Sequence, residues 1–186
     1  GDNPPDGAII NYYLRDNANT VRLNILDAKG KIVRTYSTND KPYTKRADNV
    51  PDYWVRPQQL LGAKAGAHRF TWDLRYDPLD LPVNFPISAV YQNTAPVPTA
   101  PLVMPGIYIA RLQVDGKVQE QKFEVKIDPR VKTSNKDLQQ QHDLSETLYS
   151  LRKQLMGKST KDEASQKEKN QLINQAGSVM DVLQGS

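Results

Sequence analysis

Val21–Tyr36 reads VRLNILDAKGKIVRTY, and how it folds decides the architecture. Val21, Leu23 and Ile25 alternate with Arg22 and Asn24, the period of two of a half-buried strand. Asp27-Ala28-Lys29-Gly30 supplies a turn, with Gly30 free to take a positive φ, and Ile32–Tyr36 returns. The stretch therefore predicts a β-hairpin. Two further stretches read the same way. In Gly66–Tyr76 (GAHRFTWDLRY), His68, Phe70, Trp72 and Leu74 fall on one face of a strand over Ala67–Leu74, and Trp72 is the expected core anchor. In Pro105–Ile127 (PGIYIARLQVDGKVQEQKFEVKI), Tyr108, Ala110, Leu112 and Val114 face one way. Asp115-Gly116 marks a two-residue turn, and Phe123, Val125 and Ile127 return on the inner face. Ala8–Leu14 supplies a first strand after the non-helical entry Pro4, Pro5, Gly7. Together these strands predict a mainly β protein built as a sandwich.

Two long insertions interrupt it. Thr38–Ala65 carries Pro42, Pro51 and Pro57 and is expected to be loop, with at most a short helix near Arg56–Leu61. Asp77–Met104 holds Pro78, Pro82, Pro86, Pro96, Pro98 and Pro101, a density that blocks helices and central strands. Loops of this length in a compact domain are usually functional or disordered.

After Thr133 the pattern turns helical. Leu138, Leu144, Leu148, Leu151 and Leu155 form one stripe, Ser134 with Asp137 resembles a capping box, and Gly157 can end the helix. A second capping box at Thr160–Glu163 leads into a second stripe of Leu172, Ile173, Ala176, Val179, Met180 and Leu183. The expected organisation is a β-sandwich over residues 1–131, with loops at 38–65 and 77–104, followed by a helical hairpin over 132–186. The hairpin's stripes either pair with each other or belong to a larger bundle.

Composition narrows the function classes. The chain has 186 residues, enough for one well-buried domain and an appendage. Its hydrophobic fraction is 38% and its mean hydropathy is −0.67, as expected of a water-soluble chain. No apolar run approaches the ~20 residues of a membrane span. Gly1–Gly7 lacks the regions of a signal peptide, so the chain reads as a mature protein or an excised piece. Cysteine is absent, which removes disulfides and thiolate metal sites. The net charge of +4 is spread among acids, as in Lys158–Lys169 (KSTKDEASQKEK), and lacks the one-signed patch that nucleic acid requires.

The β part resembles the immunoglobulin-like domains related to the flagellar hook-capping fold. The residues that carry this are Leu26–Gly30 (LDAKG), Ala65–Asp73 (AGAHRFTWD) and Pro105–Leu112 (PGIYIARL). Asn3–Ile10 (NPPDGAII), Trp72–Tyr76 (WDLRY) and Asp128-Pro129-Arg130 before a helical tail are similar to the C-terminal region of large secreted bacterial proteins. The N-terminal part of those proteins is a sortilin-like or BNR-repeat (sialidase-type) β-propeller, often labelled a glycosyl hydrolase. The resemblance implies an immunoglobulin-like β-sandwich, a C-terminal α-helical hairpin, a secreted, periplasmic or cell-surface location, and a propeller of the same polypeptide as partner. Any hydrolase chemistry would then belong to the propeller. The expected role is a non-catalytic accessory module.

Local candidates were weighed on their own residues. Asp73, Asp77 and Asp80 lie near a strand end, and a glycosidase needs two carboxylates ~5–10 Å apart across a cleft. Asp73 is more simply read as a turn residue meeting Arg75. Asp77 with Asp80 could offer oxygens to Ca²⁺ but lacks a regular ligand loop. His68, on an inward strand face, and His142, on a helix, are too far apart in sequence to suggest a metal site. No catalytic residue, metal or cofactor is assigned. Carbohydrate binding is the sharpest alternative: Tyr43, Tyr53, Trp54, Tyr76 and Tyr91 fall in or beside the loops, and sugars stack on exposed rings. A plainer use of the same rings is to pin the loops, since each removes ~150–250 Å² from water.

Overall fold

The computed structural model describes residues 7–42, 51–79, 91, 100–160 and 162–184. Tyr43, Asp80, Lys161, residues 43–50 of the first long insertion and most of the second lie outside the described residues. Six strands and two helices follow in order: β1 Ala8–Leu14, β2 Val21–Asp27, β3 Ile32–Ser37, β4 Gly66–Trp72, β5 Gly106–Val114, β6 Lys117–Val125, α1 Asn135–Gly157 and α2 Glu163–Gln184. β1 pairs with β4, and a second antiparallel sheet runs β3-β2-β5-β6. The protein is thus mainly β, with two sheets sharing one core and two C-terminal helices.

The alternation places the core. Val21, Leu23 and Ile25 from β2, Tyr108 and Ala110 from β5, and Phe70 and Trp72 from β4 are buried together. Trp72 is fully buried, and its ring meets Tyr108 at 5.5 Å and Phe123 at 6.1 Å between ring centres. Phe70 meets Tyr36 edge-on at 4.5 Å, so both contacts bridge the two sheets. Trp72 Nε1 donates to the Arg75 carbonyl, which satisfies its one polar group without leaving the core.

The turns follow from their residues. Asp27 Oδ1 accepts from the Lys29 and Lys31 amides, and Gly30 takes φ +83°. At the second hairpin Asp115 (φ 44°) and Gly116 (φ 87°) are both left-handed, as a type I′ turn requires. The Asp115 carboxylate also accepts from the Asn19 and Thr20 amides, which ties the β1–β2 connection to this turn.

Several expectations shift. The strand expected over Ala67–Leu74 ends at Trp72, because Leu74 adopts φ 59° and turns the chain. Beyond it Tyr76 donates to the Pro101 carbonyl and Val103 to that of Leu74, so the chain borders the 100–103 segment. The short helix expected near Arg56–Leu61 is instead a single 3₁₀ turn at Asp52–Trp54, started by Pro51. Ser134 caps α1 as expected and accepts from the Asp137 amide. α2 begins two residues later than the second capping box implied: Asp162 accepts from an early amide, that of Ser165.

The helices form a hairpin, and the expected stripes are buried only in part. Leu144, Leu151, Leu172 and Val179 are left in water, whereas Ser145 and Arg152 are buried with Leu155, Ile173, Ala176 and Met180. Ser145, Tyr149, Arg152 and Met156 recur at the same four-three-four spacing as Leu144, Leu148, Leu151 and Leu155, one position further round. One position is roughly 100° of rotation. Both stripes fit a helix, and contact with α2 and the β part buries Ser145 and Arg152 of the less apolar one together with Leu155 of the other.

Candidate binding surface

Pro51 sets the 3₁₀ turn in which Trp54 donates to the Pro51 carbonyl and Val55 to that of Asp52. Val55 is buried and anchors the turn, which leaves Tyr53 67% exposed and Trp54 half-buried above it. Tyr91, 60% exposed, approaches both rings at 6.4 Å, with interplanar angles of 63° to Tyr53 and 90° to Trp54. Three of the five aromatic candidates therefore meet. Their rings stand edge to face and do not form a coplanar row, so each edge is partly used by a neighbour.

Tyr76 stands apart from them. It is half-buried between the β part and α1, with its ring 6.2 Å from that of Tyr149 and its hydroxyl 3.3 Å from His142 Nε2. Burial drives its phenol pKa well above the usual value, and the nearby Glu146 carboxylate adds to this. Tyr43 lies outside the described residues.

Two of the acidic candidates, Asp73 and Asp77, are occupied by structural contacts, and Asp80 lies outside the described residues. Asp73 Oδ1 accepts from the Arg75 amide, as the turn reading anticipated. Asp77 Oδ1 lies 3.4 Å from Arg34 Nε. His68 keeps to the face of β4 that Phe70 and Trp72 share, half-buried, where it stacks on Tyr12 at 4.9 Å and lies 2.6 Å from the Lys64 carbonyl through Nε2. Gly62 makes room for that ring, since a β-carbon there would fall 2.1 Å from Nδ1. His142 sits on α1 against Tyr76. Among the described residues no three His, Cys, Asp or Glu side chains group as a metal site.

The junction between the two regions was not legible in the sequence. Arg34 is buried on β3, donates to the Tyr76 carbonyl and lies 5.0 Å over the Tyr36 ring. Tyr149 of α1 donates to the Asp77 carbonyl, Lys31 pairs with Glu146, and Leu79 packs on Leu155 and Ile173. The segment following β4 is thus the seat on which the hairpin rests. A lone Arg between Val33 and Thr35 carries no spacing signal that would announce a partner so distant in sequence.

A second exposed surface lies on the small sheet. Ile9 and Tyr13 project outward on β1, opposite Thr71 and Ala67 of β4, and both are exposed. Among the described strands β1 has one partner only, so its other edge is unpaired.

No protein-family model matches this chain, and neither curated proteins nor solved structures show a significant match. Among the described residues no helix is long and apolar enough to cross a membrane.

Proposed function

We propose that this chain is a non-catalytic accessory module of a secreted bacterial multidomain protein, and that it docks against and orients an N-terminal β-propeller of the same polypeptide. The proposal includes an immunoglobulin-like identity for the β part, which rests on the LDAKG, AGAHRFTWD and PGIYIARL motifs, and it leaves any hydrolase chemistry to the propeller. The observation that carries the docking role is the outward face of β1, where Ile9 and Tyr13 stand in water beside an unpaired strand edge. Monomeric sheet proteins usually cover or charge such an edge.

The test is calorimetric titration of the separately prepared propeller with this chain. Binding that weakens at least tenfold in an Ile9→Asp/Tyr13→Lys variant supports the reading. Absence of binding by a folded wild-type chain rejects it.

A second reading, a carbohydrate-binding module, is favoured by one specific observation: the convergence of Tyr53, Trp54 and Tyr91 on an exposed turn. A glycan-array screen compared with Trp54→Ala decides it. Specific binding lost in the variant would promote this reading over docking.

A further inference from the structure

The rings of Tyr53, Trp54 and Tyr91 depart from a flat stacking platform in their angles. Tyr91 stands at 63° to Tyr53 and at 90° to Trp54, with 6.4 Å between ring centres in both pairs. A sugar ring stacks by laying the C–H bonds of one face on the electron-rich face of an aromatic ring. Successive units of an extended glycan present their faces in nearly parallel planes. A row of parallel rings follows such a chain, and each ring adds a stacked unit. Rings at 63° and 90° cannot both be stacked by neighbouring units of one extended chain.

The backbone beneath the rings is braced. Pro51 starts the turn, buried Val55 anchors its end, and Trp54 and Val55 donate back to the Pro51 and Asp52 carbonyls. The segment that follows is held to the β part, where Gln59 accepts from the Thr71 amide of β4 and Leu61 is buried in the core. Little ordering of this backbone is left for a ligand to impose. Asp52 and Arg56, exposed on either side of the two rings in the chain, are the kinds of group that hydrogen-bond sugar hydroxyls.

We infer that this corner takes a single sugar unit at the end of a glycan chain, and that it does not run along a polysaccharide. The inference rests on the carbohydrate-binding reading of the same rings and adds the class of ligand to it. Two observations select a chain end. The ring centres lie about one sugar's width apart, so a unit stacked on Tyr53 or Trp54 has Tyr91 beside it. The Tyr91 ring is also steeply inclined to both of the others, across the direction in which a stacked chain would continue. A terminal unit, whose chain leaves on one side only, fits that corner.

A glycan array probed with the intact chain tests this, with each chain printed as a disaccharide and as a hexasaccharide, gluco-, manno-, xylo-, galacto- and chito-oligosaccharides among them. Binding is expected to depend on the terminal sugar and to change less than about twofold between short and long forms, whereas each further stacked ring would tighten it by about two- to tenfold. Tyr91→Ala removes the inclined ring at an exposed position. It is expected to bind the long form about threefold or more tightly than the short one. The comparison of lengths needs only the wild-type chain and stands if that variant does not fold. Wild-type affinity that climbs with chain length, binding to chains whose terminal sugar is blocked, or an unchanged short-to-long ratio in folded Tyr91→Ala would each overturn the inference and leave the carbohydrate reading in place. Absence of binding to every glycan rejects both.

Discussion

In the β part the apolar residues are buried where alternation puts them, whereas in the hairpin Leu144 and Leu151 stay in water while Ser145 and Arg152 are enclosed. The difference comes from the geometry of the two elements. A strand has two faces, and a one-residue slip exchanges them completely, so a clear alternation admits one burial pattern. A helix offers a continuum of faces, and stripes one position apart can both satisfy a four-three-four spacing. Contacts from elsewhere then choose. Here Gly177 admits the Arg152 guanidinium against α2, and Tyr149 and His142 turn toward the segment after β4. Those contacts leave Leu144 and Leu151 of the more apolar stripe outside.

The strongest test of the β side is Trp72→Ala. It removes the ring that joins both sheets and is expected to cost about 3–5 kcal/mol in chemical denaturation. A loss under 1 kcal/mol would show that the shared core is not the source of the β part's stability. The contrast between stripes is sharpened next. Met180→Ala, at a buried seam position, is expected to cost about 2–5 kcal/mol, and Leu144→Ala within about 0.5 kcal/mol of neutral when measured in dilute protein. Equal losses would mean that the leucine stripe is packed within the single chain after all.

The junction can be probed with alkali. Burial raises the phenol pKa of Tyr12, Tyr76, Tyr108 and Tyr149, three of them in the shared core or near the hairpin's seat. Unfolded tyrosines lose their proton near pH ~10. The stabilisation is therefore complete below that pH and lost as pH rises toward the folded values. An absorbance titration should show a late tyrosine phase coincident with unfolding, absent in denaturant. Tyrosines titrating as one population in the folded protein would contradict the burial described.

The smallest effect is expected at the β5–β6 turn. Amide hydrogen bonds from Thr20 and Asn19 hold the Asp115 carboxyl below its ordinary pKa. Its contribution is present above pH ~4 and fades as pH falls through the depressed value. Asp115→Asn, which tolerates the left-handed backbone, should lower the melting temperature slightly at pH 7 and match wild type in acid. A constant difference at every pH would show that charge is not what the amides hold.

How much of the candidate surface could be read in advance depended on distance along the chain. Tyr53 and Trp54 are neighbours in sequence beside Pro51, and their place in a loop is legible there, whereas their exposure is not. Tyr76 was grouped with them because it borders a loop, but its ring belongs to the junction with α1. Alternation puts His68 on the face of Phe70 and Trp72, and there it rests on Tyr12 beside Gly62.

The sequence alone determined the six strands, the two tight turns, the position of Trp72 in the core and the existence of two helices. Each of these depends on local period, on a backbone conformation that Gly or Asp permits, or on a cap within four residues. Only the tertiary structure decided that Ser145 and Arg152 are buried in α1 while Leu144 and Leu151 are not, where Arg34 finds the Tyr76 carbonyl, and which aromatics meet. Those outcomes depend on contacts between segments far apart in the chain, whose free energies no local pattern encodes.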